Sequence, residues 1–315
     1  MPASDILFRP LELGTLQLAN RIVMAPMTRN KAPGNIPGPQ VVEFYRRRAA
    51  GGVGLIITEG TYEDNRLGCR AYLSQPGIVT AKHVKAWKKV ADAVHAHDCK
   101  IILQLMHGGR VSDPRVLNGK APVSASATQS PGWTLYTDND YEKKIRNIDG
   151  AWPKVTLGKA RELTVKEIHT VADGFAEGAA RAVAAGFDGV EIHGANGYLL
   201  EQFLQSRSNV RTDRYGGSIE NRARLMLDVT KAGVDAIGAD RTGIRLSPYG
   251  RANDSGEADP MPLYSYVVGQ LNAMGLAYLH LIEPRASGAG QREVDHKDVP
   301  SAAELFRPLW KGPLI

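Results

Sequence analysis

Short apolar runs alternate along this chain with longer stretches in which apolar residues recur every three or four positions. The runs fall at 22–25, 54–58, 100–105, 189–192, 242–247 and 277–282. Apolar runs of this length, bounded by Gly and Pro, read as strands buried in a parallel sheet. Between them lie helices with clear ends. Pro39 opens one that Gly51-Gly52 closes after 50, and Thr80 caps another that carries Val84, Trp87, Ala91 and Val94 on one face. Thr164 and Glu167 form a capping box ahead of Ile168, Val171, Phe175 and Ala179. Ser218 caps a fourth helix, and a fifth runs from Pro262 to Met274, closed by Gly275. Before the first run, 11–20 alternates around Gly14 as a short hairpin, whereas 61–79 reads as irregular. Strand and helix thus repeat along the chain, which predicts an α/β fold with a parallel sheet.

Length narrows that prediction. The chain has 315 residues, 43% hydrophobic and 23% charged, which suits one domain (1–315) in the size range of a (β/α)8 TIM barrel. Net charge is +6, yet Arg46-Arg47-Arg48 and Lys82, Lys85, Lys88 and Lys89 spread over helix faces. With no aromatic-interleaved basic patch, a generally basic surface is the reading and no nucleic-acid partner is expected. The two cysteines, Cys69 and Cys99, lie far apart in no metal spacing, so neither a disulfide framework nor a metal is expected. No segment resembles a leader peptide or a membrane span, which leads to the expectation of a cytoplasmic protein. The polar stretch 111–159, broken by Pro and Gly and dotted with Trp133, Tyr136, Tyr141 and Trp152, is expected to form a lid over the substrate mouth.

Chemistry concentrates after the fourth run. Gly194 and Gly197 turn the chain, and His193, Asn196 and Tyr198 gather where the strand ends, the edge at which α/β barrels carry their catalytic groups. Imidazole and carboxamide can both donate to one oxygen, stabilising charge on a carbonyl under attack, and a nearby phenol can protonate an adjacent carbon. Taken singly, each of the three also fits a turn or a packed core. Gln104, inside the third run, needs hydrogen-bonding partners that a pyrimidine-like ring edge would supply. Arg245, inside the fifth, needs an anionic one.

The run His193-Gly-Ala-Asn196-Gly-Tyr198-Leu-Leu-Glu-Gln-Phe-Leu, continued by Ser208-Asn209-x-Arg211-Thr-Asp-x-Tyr215-Gly-Gly-Ser-Ile-Glu-Asn-Arg222, resembles the signature of the old yellow enzyme family of FMN-dependent ene reductases. The resemblance implies non-covalent FMN, NADPH or NADH as hydride donor, and an α,β-unsaturated carbonyl or nitro compound as the alkene reduced. It implies that His193 and Asn196 bind the substrate oxygen and that Tyr198 supplies the proton. Pro26, Met27 and Thr28, Gly60, Gln104, His193 and Arg245 would line the flavin, with Arg245 at its N1 and O2 edge. Met106 stands where many relatives carry a Trp in the substrate pocket, and Tyr72 is a further pocket candidate. A flexible thioether there would reshape that pocket.

The last residues, 309–315, resemble the family's approach to a seventh strand. The family's later strands and helices, which hold the flavin phosphate, are expected to be missing from this sequence. A fragment of a longer product, a chain completed by a partner and a degraded relative all fit that pattern. The alternative to an ene reductase is therefore a catalytically inactive barrel fragment that binds FMN weakly or not at all. Monomer and homo-oligomer are equally open.

Overall fold

The computed structural model describes residues 4–130, 156–284 and 301–315. Ser4–Leu7 forms one helical turn (α1). The hairpin follows as β1 (Leu11–Leu13) and β2 (Leu16–Leu18), turned at Gly14 with φ +62°, where a Cβ would lie 2.5 Å from the Asp240 carbonyl oxygen. Then come β3 (Val23–Met24), α2 (Pro39–Ala50), β4 (Leu55–Ile57), α3 (Ala81–His95) and β5 (Lys100–Leu105). A minor parallel pair, β6 (Val123–Ser124) and β7 (Arg161–Glu162), precedes α4 (Val165–Ala184). The chain continues through β8 (Gly189–Gly194), α5 (Leu199–Leu204), α6 (Ile219–Ile237), β9 (Thr242–Leu246), α7 (Pro260–Asn272), β10 (Tyr278–Leu281) and α8 (Ala302–Phe306).

Six strands form one parallel sheet in the order β10-β9-β8-β5-β4-β3, the strand-helix order of a (β/α)8 barrel. Residues 313–315 run beside β10, bonded through Leu279 N to the Pro313 oxygen and Ile315 N to the Leu279 oxygen. Side chains alternate between two cores, as strand geometry requires. Ile56, Ile101, Leu103, Val190, Ile192, Ile244 and Leu279 pack outward on the helices with Trp87, Phe175 and Val229. Inward, Leu55, Ile57, Ile102 and Tyr278 meet Leu13, Leu16 and Leu18 of the hairpin, which plugs the N-terminal end of the sheet.

Some boundaries moved. The fifth sequence helix starts at Pro260 instead of Pro262, and both prolines fall in its first turn, where the N–H they lack would be unsatisfied anyway. Val23 and Met24 are half-buried, being on the edge strand next to β4, where a buried strand was expected. Helix α5 was not foreseen at all. Residues 131–155 of the expected lid, with its two Trp and two Tyr, lie outside the described residues, while 111–130 is tied down by the β6–β7 pair and by Ser126 Oγ, which accepts from Val210 N at 3.0 Å.

Candidate active site

The C-terminal ends of β3, β4, β5, β8 and β9 present the residues in question. Parallel register sets their heights. Gln104, Glu191, Gly243 and Tyr278 are partners across β5, β8, β9 and β10, and His193, Arg245 and His280 form the next row up. Gly243 leaves the space that the Tyr278 ring occupies, since a Cβ there would sit 2.4 Å from that ring. The row is joined by hydrogen bonds. Gln104 Nε2 donates to Glu191 Oε1 at 2.8 Å and lies 3.3 Å from His193 Nδ1. Glu191 Oε2 meets Tyr278 Oη at 3.1 Å and His280 Nδ1 at 2.9 Å.

Electrostatics follow from burial. Burial alone would raise the Glu191 carboxyl, but His280, Arg245 and the Gln104 bond outweigh it and hold the group below its ordinary value. Burial, then the charge of Arg245, pulls His193 down to about 3, so it is a neutral imidazole at working pH. Arg245 is itself lowered by burial, and its Nε is buried without a protein acceptor. Among the described residues the anionic partner expected for it is present as the field of Glu191, with no direct ion pair.

Asn196 sits at φ +58°, and its backbone is pinned on both sides. Its N–H donates to Ser247 Oγ at 2.9 Å, and its carbonyl accepts from Asn253 Nδ2 at 2.8 Å. Helix α5 reaches back under the same turn. Glu201 accepts from Gly197 N at 2.5 Å and Ser247 Oγ at 2.8 Å, while Gln202 Nε2 donates to the Gly197 carbonyl at 2.7 Å. With its main chain fixed, the Asn196 carboxamide has no hydrogen-bond partner among the described residues. That suits a donor waiting for a ligand.

Tyr198 is 6% exposed, its ring 5.3 Å from that of His193. Its hydroxyl lies 2.5 Å from that of Tyr72, and burial followed by this neighbour pushes the Tyr198 phenol well above its ordinary value. Both phenols therefore keep their protons. Met106, Ala71, Val111, Val116 and Leu157 pack around Tyr198, with Tyr72 against them. Gly60 lies under this wall, because a Cβ on it would meet Met106 Sδ at 2.6 Å and Gln104 Oε1 at 3.4 Å. Pro26 is half-buried, whereas Thr28 is exposed and Met27 is 50% exposed beyond the end of β3. They stand at the same edge of the sheet as the others, without hydrogen bonds to them.

Sequence reasoning missed Glu191, Tyr278, His280, Asn253, Glu201 and Gln202. It also missed a buried group beside Gly178, where Glu63, Cys69 and His107 bring a carboxylate, a thiol and an imidazole within 4.8 Å of one another. Gly109 N–H donates to His107 Nδ1 at 3.1 Å, so the ring proton resides on Nε2 and offers the group a donor, not a lone pair. Burial pushes Glu63 up to about 8.

The model of the NADH:flavin oxidoreductase / NADH oxidase family matches residues 6–315, and the chain belongs to that family. It is an FMN-dependent oxidoreductase of the old yellow enzyme type, served by NAD(P)H. Among its relatives, 12-oxophytodienoate reductase 1 of Oryza sativa subsp. japonica is 41% identical over 312 residues, covering 98% of this chain and 75% of that protein. Chanoclavine-I aldehyde reductase fgaOx3 of Penicillium roqueforti is 42% identical over 296 residues, covering 93% and 73%. Morphinone reductase in complex with tetrahydroNAD superposes with a TM-score of 0.85 at 39% identity, covering 98% and 79%. The old yellow enzyme homologue of Zymomonas mobilis gives 0.86 at 34%, covering 98% and 81%. Among the described residues no helix is long and apolar enough to cross a membrane.

Proposed function

We propose that this chain reduces the carbon–carbon double bond of α,β-unsaturated carbonyl or nitro compounds, with His193, Asn196 and Tyr198 in the reacting positions. The observation that carries the reading is one cluster at the strand ends: a neutral buried imidazole, a carboxamide with no partner among the described residues and a protonated buried phenol. The residues present fit FMN. Arg245 Nε is buried and unpartnered, and Gln104, its Nε2 held by Glu191, has Oε1 left over for a ring N–H. Gln104, Arg245, Gly60, Pro26, Met27, Thr28 and one face of His193 would hold the ring. When bound, FMN would supply hydride transfer from NAD(P)H to the β-carbon of the alkene.

His193 and Asn196 donate to the substrate oxygen, where negative charge develops, and are worth about 3 kcal/mol each at the transition state. Tyr198 gives its proton to the α-carbon, and its neutral state at physiological pH is what makes it an acid there. Met106, Tyr72 and Tyr198 shape an apolar pocket that excludes water from the alkene. The test is a flavin-loaded His193→Ala, Asn196→Ala double variant. Its reoxidation by an enone should slow by roughly 10³-fold or more, and unchanged alkene turnover would reject the reading.

A further inference from the structure

We infer that Glu191 is a positioning residue that fixes the tautomer of His193 through the Gln104 carboxamide. The Glu191 carboxyl is fully buried and held ionised by its surroundings, so both its oxygens can only accept. The atom of Gln104 that lies 2.8 Å from Glu191 Oε1 must therefore be the nitrogen, which settles the orientation of an amide that could otherwise turn over. That nitrogen carries two hydrogens. One is spent on Glu191 and the other points along the 3.3 Å contact to His193 Nδ1.

Nδ1 is thereby an acceptor, and a neutral imidazole that accepts at Nδ1 carries its proton on Nε2. The anion therefore acts on His193 without touching it. Tyr278 Oη and His280 Nδ1, bound to the other carboxylate oxygen, keep Glu191 from rotating toward the ring. The charged and titratable groups facing this row are Glu191, His280, Arg245 and Tyr278, all on β8, β9 and β10. If Glu191 became a neutral amide, the Gln104 carboxamide could present Oε1 to Nδ1 instead, and the imidazole would then carry its proton on the side away from a ligand. This inference rests on the hydrogen-bonded row and the charge states within it, so it can hold even if His193 does not bind the substrate oxygen.

The test is the nitrogen-15 spectrum of histidine-labelled, FMN-loaded protein, with His193 assigned by difference from His193→Gln. The wild type should give the two separated shifts of a single Nε2–H tautomer from pH 6 to pH 8. Glu191→Gln should bring the shifts together as the tautomers mix, whereas Tyr278→Phe, which leaves the Gln104 bond intact, should not. A folded Glu191→Gln variant that keeps the wild-type Nε2–H signature overturns the inference. Should Glu191→Gln fail to fold, Gln104→Met decides the matter in its place, because it keeps the anion and removes the amide. Mixing supports the relay and retention of one Nε2–H tautomer overturns it. A substrate role for His193 is read separately, from kcat/KM for an enone, which a mixed tautomer should lower by roughly 10-fold or more.

Discussion

The inside of the sheet has two zones built on the same strands. At the N-terminal end, Leu55, Ile57 and Ile102 meet the hairpin leucines in a wholly apolar floor. Two residues further along β5, and on the neighbouring strands, the same inward positions hold Gln104, Glu191, His193, Arg245 and His280. Each polar group in the upper zone adds a desolvation cost that only the neighbouring groups or a ligand can offset. The floor therefore carries stability and the upper zone carries chemistry, and the Tyr278 ring spans both, packed among the leucines while its hydroxyl reaches Glu191.

Substitutions should separate the two zones. The largest effect on folding is expected at the floor. Leu18→Ala, at a site only 2% exposed, should cost about 3 kcal/mol of unfolding free energy by creating a cavity. Urea melts measure the cost, and kcat at a temperature where the variant is folded should match wild type. Tyr198→Phe should do the reverse. Reoxidation by an enone should slow by roughly 10²-fold with little change in melting temperature, and a nitroalkene, whose nitronate product can leave unprotonated, should be affected less. Equal slowing with both acceptors would remove the phenol from the proton step. If Leu18→Ala lowered kcat in the folded state, the division into zones would itself be wrong.

The smallest effect concerns a buried carboxyl outside both zones. Glu63 has a folded pKa raised to about 8 from 4.5, so the folded state keeps its proton between those values while the unfolded chain has lost it. Its contribution to stability is fully present below about 4.5 and falls as pH rises toward 8. Glu63→Gln should flatten that slope, gaining on wild type in thermal melts at pH 8 relative to pH 5. Parallel curves for the two proteins would mean that Glu63 ionises normally in the fold.

Most of the scaffold was legible because its signals are local. The cap at Thr80, the capping box at Thr164, Gly275 past α7 and the apolar runs of β5 and β8 each declare themselves within a few residues. His193, Asn196 and Tyr198 were legible because they share one short turn. The supporting groups were not. Glu191, Tyr278 and His280 each sit in a different apolar run, and only the register of β8, β9 and β10 brings them into one cluster. Asn253 is 57 residues from the carbonyl it holds, and Glu201 and Gln202 act on the Asn196 turn only because α5 folds back beneath it. Helix α5 itself is six residues, all buried, which has no amphipathic period to detect.

If Tyr198 acts as proposed, the two hydrogens added to the alkene come from different sources, one through the flavin and one through a phenol beside the α-carbon. Isotope tracing tests it directly. The FMN-loaded protein is supplied with a cyclic enone and nicotinamide deuterated at the transferable position in ordinary water, and the complementary run uses unlabelled nicotinamide in heavy water. The expected product is a saturated ketone with nicotinamide deuterium on the β-carbon alone in the first run and solvent deuterium on the α-carbon in the second. Nicotinamide deuterium on the carbonyl carbon, giving an allylic alcohol, would contradict it.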